Sequence, residues 1–289
     1  MQKTLSKRHL QIVKLAGDLV DSETKPIGYM ARILVTVNLP YRDPGKDARF
    51  WLKKNGLIAL IVTPAYNGEG KNLGLPYGSY PRLILSYLIT QAVKTQSSTI
   101  FIGKSFREFL SMIDVDKGGK QYRQLQKQLE RTLSASFSWT YENEKVWSRT
   151  NVQLSHESKL WWNPKYPEQQ TLWESYIKLN TDFFNEIIRH PVPLDLRVLK
   201  VFKNSPLGLD LCMFLSWRVF NLKRPVYISW ETLHAQLGGQ YANLHEFSRD
   251  CRKHLIRIQA IWSELNIKFL KGRLYIAPTL RVLVPVQKT

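Results

Sequence analysis

Cysteine is nearly absent: the 289-residue chain has 2, Cys212 and Cys251. Two thiols make neither a disulfide framework nor a zinc site, so disulfide-stapled and zinc-built folds are excluded. Both fall on apolar helix faces in the reading below, as buried small hydrophobes of a reducing cytoplasm. Long apolar runs are also missing. No stretch approaches the roughly 20 residues that a membrane-spanning helix needs. The opening MQKTLSKRHLQIVKLAGDLV is charged and broken by polar residues, unlike a signal peptide. The expectation is a soluble cytoplasmic protein with no membrane partner.

Catalytic signatures are missing as well. The six histidines (His9, His156, His190, His234, His245 and His254) include no H-x-H pair, which a rolling-circle nuclease would need. No G-x-x-x-x-G-K-[ST] occurs, and Lys71 in GEGKNLG lacks both the upstream glycine and the following hydroxyl. HESKL lacks the second histidine of a zinc-hydrolase helix, and the acids are scattered. The chain reads as no enzyme, with no metal and no cofactor.

Acidic residues are scarce relative to basic ones. Asp and Glu total 23 against 42 Lys and Arg, a formal charge of +19. Self-repulsion of that size is a cost that a polyanionic partner converts into binding through counterion release. Hydrophobic residues make up 44% of the chain, ample for cores in two domains.

What is present is a repeat. LILSYLITQAVKTQSSTIFIG (83–103) aligns without a gap on LDLCMFLSWRVFNLKRPVYIS (209–229). Leu83, Leu85, Leu88, Ile89 and Val93 fall on Leu209, Leu211, Phe214, Leu215 and Val219. Ile100 and Ile102 fall on Val226 and Ile228 in short strands. Short helices follow, with Phe106, Phe109 and Ile113 in one copy and Trp230, Leu233 and Leu237 in the other. Ser105-x-x-Glu108 is a capping-box pattern, and Ser229 is positioned as an N-cap. Gly118-Gly119 and Gly238-Gly239 then precede two long basic helices, with strand-like sequence after each. Helix, short strand, helix, turn, long helix and hairpin is the order of a winged helix-turn-helix, here twice.

The fold class expected is α+β: two tandem winged helix-turn-helix domains with an N-terminal β-containing extension. The boundaries are an extension over 1–74, a first winged helix over 75–181 and a second over 182–289. In the extension, IGYMARILVTVNLPY alternates as one strand and GLIALIVTPAY as a second. RDPGKDARFWLKKNG reads as a long turn between them, and AYNGEGKNLGLPYG as a linker.

On the first long helix, Tyr122, Leu125, Leu129 and Leu133 share one side. Lys120, Gln124, Lys127 and Arg131 line the other, with Gln121 and Arg123 beside them. On the second, Leu244, Phe247, Cys251, Leu255, Ile258 and Trp262 face inward. Arg249, Lys253 and Arg257 face outward, with Arg252 near them. Neither stripe is long enough for a coiled coil, nor wide enough for a membrane-surface helix. In a helix-turn-helix the last helix enters the major groove. There Gln and Arg can read bases while Lys mostly neutralises phosphate. Lys271 and Arg273 mark a basic wing tip. The nine tryptophans, Trp161-Trp162 included, fit wing and core packing better than stacking on single strands.

The residues that carry these features resemble a known family, the RepA-type replication initiators of bacterial plasmids. The resemblance lies in GLPYGSYPRLILSYLITQAVKTQSSTIFIGKSFREFLSMIDVDKGGKQYRQLQKQLERTLSASFSW (74–139), with IGYMARILVTVNLPYRDP and YIKLNTDFFNEIIRHPVPLD (176–195). Its most specific parts are Leu75-Pro76-Tyr77-Gly78, Pro81-Arg82, the GG turn, and Leu125, Gln128 and Arg131. It implies binding to direct repeats in double-stranded DNA at a plasmid origin, local melting and recruitment of a host helicase and host initiator proteins. It also implies a homodimer formed through the N-terminal region or the first winged helix, a nucleoid or plasmid location, and no nucleotide hydrolysis. Two rivals stand beside it: a tandem winged-helix transcriptional regulator, and a module or enzyme whose basic surface holds acidic protein or RNA.

Overall fold

The computed structural model describes residues 27–102, 111, 119–143, 146–160, 175–262 and 264–279. The second half of the chain shows the architecture most simply. Helix α6 (Pro206–Phe220) leads into strand β10 (Val226–Ser229), helix α7 (Trp230–Leu237) and the long helix α8 (Leu244–Ile261). Strands β11 (Ile267–Leu270) and β12 (Arg273–Ile276) close the unit as a hairpin, in a sheet ordered β10-β12-β11. Local chemistry sets these boundaries. The side chains of Ser205, Ser229 and Asn243 accept backbone N–H bonds at the starts of α6, α7 and α8. This is a winged helix.

The first half repeats the plan. Helix α2 (Ser79–Thr95) is followed by β4 (Thr99–Phe101), and the long helix α3 (Gly119–Ser134) by β7 (Ser155–Lys159) and β8 (Tyr176–Leu179). The sheet order β4-β8-β7 matches β10-β12-β11 strand for strand. The short helix expected around Phe106, Phe109 and Ile113, its Ser105 cap, Gly118 and Trp161-Trp162 lie outside the described residues.

The segment after α3 departs from the simple expectation. The strands that directly follow it, β5 (Ser136–Glu142) and β6 (Trp147–Gln153), are not the wing. They join β2 (Trp51–Asn55) and β3 (Ile58–Thr63) in a four-stranded sheet ordered β2-β3-β5-β6. The wing position is taken by β7 and β8. Through β3 the described part of the expected extension is therefore hydrogen-bonded into the first unit, Leu60 lying opposite Trp139.

Two local readings are corrected. The single strand expected from IGYMARILVTVNLPY splits into β1 (Ile27–Ala31) and a helical turn, α1 (Arg32–Thr36). Thr36 Oγ1 and the Val37 N–H both donate to the Ile33 carbonyl, which closes the turn and buries the adjacent Leu34 and Val35 together. The turn expected over RDPGKDARFWLKKNG contains β2, paired to β3 across Gly56-Leu57. Gly56, the first of the two loop residues, has φ +57°, a left-handed conformation that glycine adopts at little cost.

Between the units run α4 (Thr181–Arg189), β9 (Pro191–Asp195) and α5 (Leu196–Val201). Strand β9 pairs antiparallel with β1, so the chain returns to β1 at the junction. Buried side chains of both units form one continuous apolar cluster.

Candidate nucleic-acid interface

The long helix of the first unit is polar in composition, and its polar residues divide into two sets. Lys120, Gln121, Arg123 and Lys127 are exposed. Gln124, Gln128 and Arg131 turn toward the loop that enters α2. Gln124 is half-buried and its Nε2 donates to Tyr77 Oη at 3.0 Å. Gln128 is 0% exposed and its Oε1 accepts the Tyr77 N–H at 2.9 Å. Arg131 is 5% exposed; it donates from Nη1 to the Leu75 carbonyl at 3.1 Å and lies over the Tyr77 ring at 5.4 Å. A partly exposed carboxylate, Asp43, stands 3.5 Å from the same Nη1.

Arg131 is therefore not on the outward line with Lys120 and Lys127. The loop 74–77 has backbone groups that need partners; Gln128 and Arg131 supply them for the Tyr77 N–H and the Leu75 carbonyl, and Gln124 holds the Tyr77 hydroxyl. Gly74 makes room for this contact: it has φ +84°, and a Cβ there would stand 2.7 Å from Arg131 Nη2. Two of the specific parts of the sequence resemblance, Leu75-Pro76-Tyr77-Gly78 and the run with Gln128 and Arg131, thus bind each other.

In the second unit, α8 presents Arg249 and Lys253 to solvent, and both lie against the Asp250 carboxylate, at 3.3 and 3.2 Å. Burial pushes that carboxyl upward, but the Lys253 and Arg249 donors outweigh it and hold it below its ordinary range. Arg252 is half-buried, its guanidinium over the Trp230 ring at 4.8 Å and the Phe269 ring at 5.2 Å. It thus ties the helix to α7 and to the wing. Arg257 is half-buried on the next turn. At the wing turn Lys271 and Arg273 are exposed around Gly272, with Arg273 over Tyr227 at 5.6 Å.

The inward face of α8 is as expected: Phe247, Cys251, Leu255, Ile258 and Trp262 are buried. Both cysteines are buried free thiols, and burial raises both. Residues 156–159 of HESKL lie in strand β7, and Lys71 sits in a turn where its N–H donates to Asn67. Among the described residues no cluster of His, Cys, Asp and Glu could hold a metal, and no helix is long and apolar enough to cross a membrane.

The turn before α8 falls at Gly238-Gly239 as the sequence suggests, but the residues that hold it from outside are not legible there. Gly238 has no space for a side chain, a Cβ falling 2.3 Å from the His234 carbonyl oxygen, and Gly239 has φ +49°. Tyr41 Oη donates to the Leu237 carbonyl at 2.6 Å, and Gln240 exchanges hydrogen bonds with the Arg42 backbone at 2.6 and 3.2 Å. These partners lie nearly 200 positions apart, and no local pattern announces them.

Two winged helices in series, each with exposed cations on its long helix, define a tandem winged-helix protein. A family model described as "Plasmid encoded RepA protein" matches residues 75–232, more than half of the chain. The chain belongs to this family, the plasmid replication initiators that its sequence resembles. No curated protein matches it. Among solved structures it is similar to domains 2 and 3 of RctB, at 12% identity and a TM-score of 0.57, over 84% of this chain and 95% of that one. A second structure of RctB domains 2-3 gives 13% identity and a TM-score of 0.54, over 85% and 96%. At such identities the likeness is one of fold.

Proposed function

We propose that this protein is a sequence-specific, double-stranded DNA-binding initiator of plasmid replication, without catalytic activity of its own. It binds direct repeats at an origin, assists melting beside them and recruits host helicase and initiator proteins. Arg249, on the exposed face of α8, and Gln121 and Arg123, near the start of α3, read bases. Lys120, Lys127, Lys253, Lys271 and Arg273 neutralise phosphate. Arg252 and Arg257 support α8 from its flanks. Gln124 and Arg131 hold α3 to the 74–77 loop. A homodimer forms through the N-terminal region or the first winged helix.

The observation that carries this reading is the distribution of charge. In both units, solvent-facing cations lie on the helix that a winged helix inserts into the groove, and on the second wing beside it. Family membership supports reading the bound DNA as a replication origin. Permanganate footprinting on a supercoiled origin plasmid tests the distinctive part. An initiator makes thymines beside its site reactive; reactivity unchanged by the protein would reduce the reading to a transcriptional regulator.

A further inference from the structure

Arg82 and Asp210 are the most deeply buried ion pair described, at 3% and 6% exposure. Arg82 belongs to α2 of the first winged helix and Asp210 to α6 of the second. Their contact is bidentate: Nε donates to Oδ1 at 2.6 Å and Nη2 to Oδ2 at 2.8 Å. The remaining guanidinium protons do not face solvent. Nη2 also donates to the Leu39 carbonyl at 2.8 Å, and Nη1 to the Gly78 carbonyl at 2.6 Å. Burial opposes the guanidinium charge, and Asp210 more than offsets it, so Arg82 is held above its ordinary range.

The carbonyl of Leu39 belongs to a strap, residues 36–42, gripped from both sides. On the first-unit side, Trp51 Nε1 donates to the Asn38 carbonyl at 2.9 Å and Asn55 Nδ2 to the Thr36 carbonyl at 2.8 Å. On the other side, Tyr41 Oη and Asn38 Nδ2 both donate to the Leu237 carbonyl, and Gln240 pairs with the Arg42 backbone. Leu237 ends α7, and Gln240 lies in the turn that launches α8. The strap thus reaches the helix-turn-helix of the second unit at its turn, while Arg82 fixes the two leading helices to each other.

A buried, fully hydrogen-bonded ion pair is weak evidence for stability, because apolar residues fill such sites about as well. It is strong in direction: a forked guanidinium and a carboxylate meet in one geometry. We propose that the Arg82–Asp210 pair and the 36–42 strap are positioning elements that fix the distance and rotation between the two DNA-reading helices. They thereby make the protein selective for the spacing of paired sequence elements in its DNA site. This rests on the DNA-binding reading above and adds to it a determinant that touches no DNA.

The test measures affinity against spacing. The duplex bound best among those tiled across the DNA flanking the gene is rebuilt with one to ten base pairs inserted at its centre. The helical repeat is about 10–10.5 base pairs, so five inserted pairs turn one half away from the other. For the wild-type chain, affinity is expected to fall on the order of 10²-fold at five inserted pairs, the loss of simultaneous engagement. Arg82→Met/Asp210→Leu fills the site without charge, and Tyr41→Phe/Gln240→Ala removes hydrogen bonds from the strap to the second unit while keeping an aromatic ring against Arg82. In each, the native duplex is expected to bind roughly 10-fold more weakly, while the loss over the insertion series shrinks to about 3-fold. Arg82→Lys keeps the charge but not the fork, and is expected to lie between. Thermal melts identify which variants are folded, and either double variant suffices. Folded variants with the wild-type spacing profile would overturn the proposal. A wild-type chain with no preference for any duplex over a scrambled one would overturn the DNA-binding reading as well.

Discussion

Arg131→Ala separates a structural cation from a DNA-reading one. The side chain is almost fully buried, and its truncation leaves the Leu75 carbonyl without its charged donor. A buried acceptor left unpaired costs about 1–3 kcal/mol. Losing the guanidinium from the Tyr77 face adds about 0.5–1 kcal/mol. The Asp43 contact is long and partly exposed, so it adds little. Together a loss of about 1.5–4 kcal/mol in unfolding free energy is expected, within the range of buried-network mutations. Urea unfolding of the intact chain measures it, with fluorescence anisotropy on duplex DNA at a temperature where the variant remains folded. DNA affinity is expected to stay within about 2-fold of wild type, an exposed phosphate contact being absent. A variant of wild-type stability whose DNA affinity fell as far as that of Lys127→Ala would refute this account of α3.

Arg249→Ala is expected to lower affinity for the specific duplex by about 1–3 kcal/mol and to spare scrambled DNA. Lys127→Ala is expected to weaken both alike and to reduce the salt slope by about 1; competition titrations at several salt concentrations distinguish them. Gly74→Ala is expected to destabilise by about 2 kcal/mol or more in urea, since its φ is left-handed and its Cβ would press on Arg131. Lys53, on β2, is pushed down to about 8 by burial, against an upward pull from Asp210. The unfolded chain therefore holds the extra proton between about pH 8 and the ordinary lysine range, and stability from this group rises with pH there. Lys53→Met is expected to be more stable than wild type at pH 7, with the advantage shrinking by pH 10, as read from urea midpoints at both pH values.

The two winged helices were legible because each is built from short-range patterns. Apolar spacing marks α2, α6 and α8, the Ser229 cap marks α7, and the 126-residue offset sets the elements side by side. The four-stranded sheet was not legible, because β5 finds β3 across some 75 positions and nothing in either strand names its partner. Within the interface, Arg249 and Lys253 follow from helix geometry alone, their neighbours at i−2 and i+2 being the buried Phe247, Cys251 and Leu255. Gln124, Gln128 and Arg131 do not, since a polar stripe on a helix looks the same whether it meets DNA or a loop with unpaired backbone groups. The signal lay in the pairing of two motifs: Leu75-Pro76-Tyr77-Gly78 and the Gln128–Arg131 run both carry the family resemblance, and in the fold they contact one another. The strap has no such signal, as Tyr41 and Gln240 bond backbone groups rather than form a recognisable residue pair.

The central claim is that the exposed cations of α3, α8 and the second wing read a DNA sequence rather than hold any polyanion. Fluorescence anisotropy against duplexes tiled from the DNA flanking the gene, with a scrambled control at two salt concentrations, tests it most directly. A duplex bound about 10³-fold or more above the control, with the preference kept at the higher salt, is the expected result. Uniform binding that collapses with salt would contradict it and leave a basic surface for acidic protein or RNA.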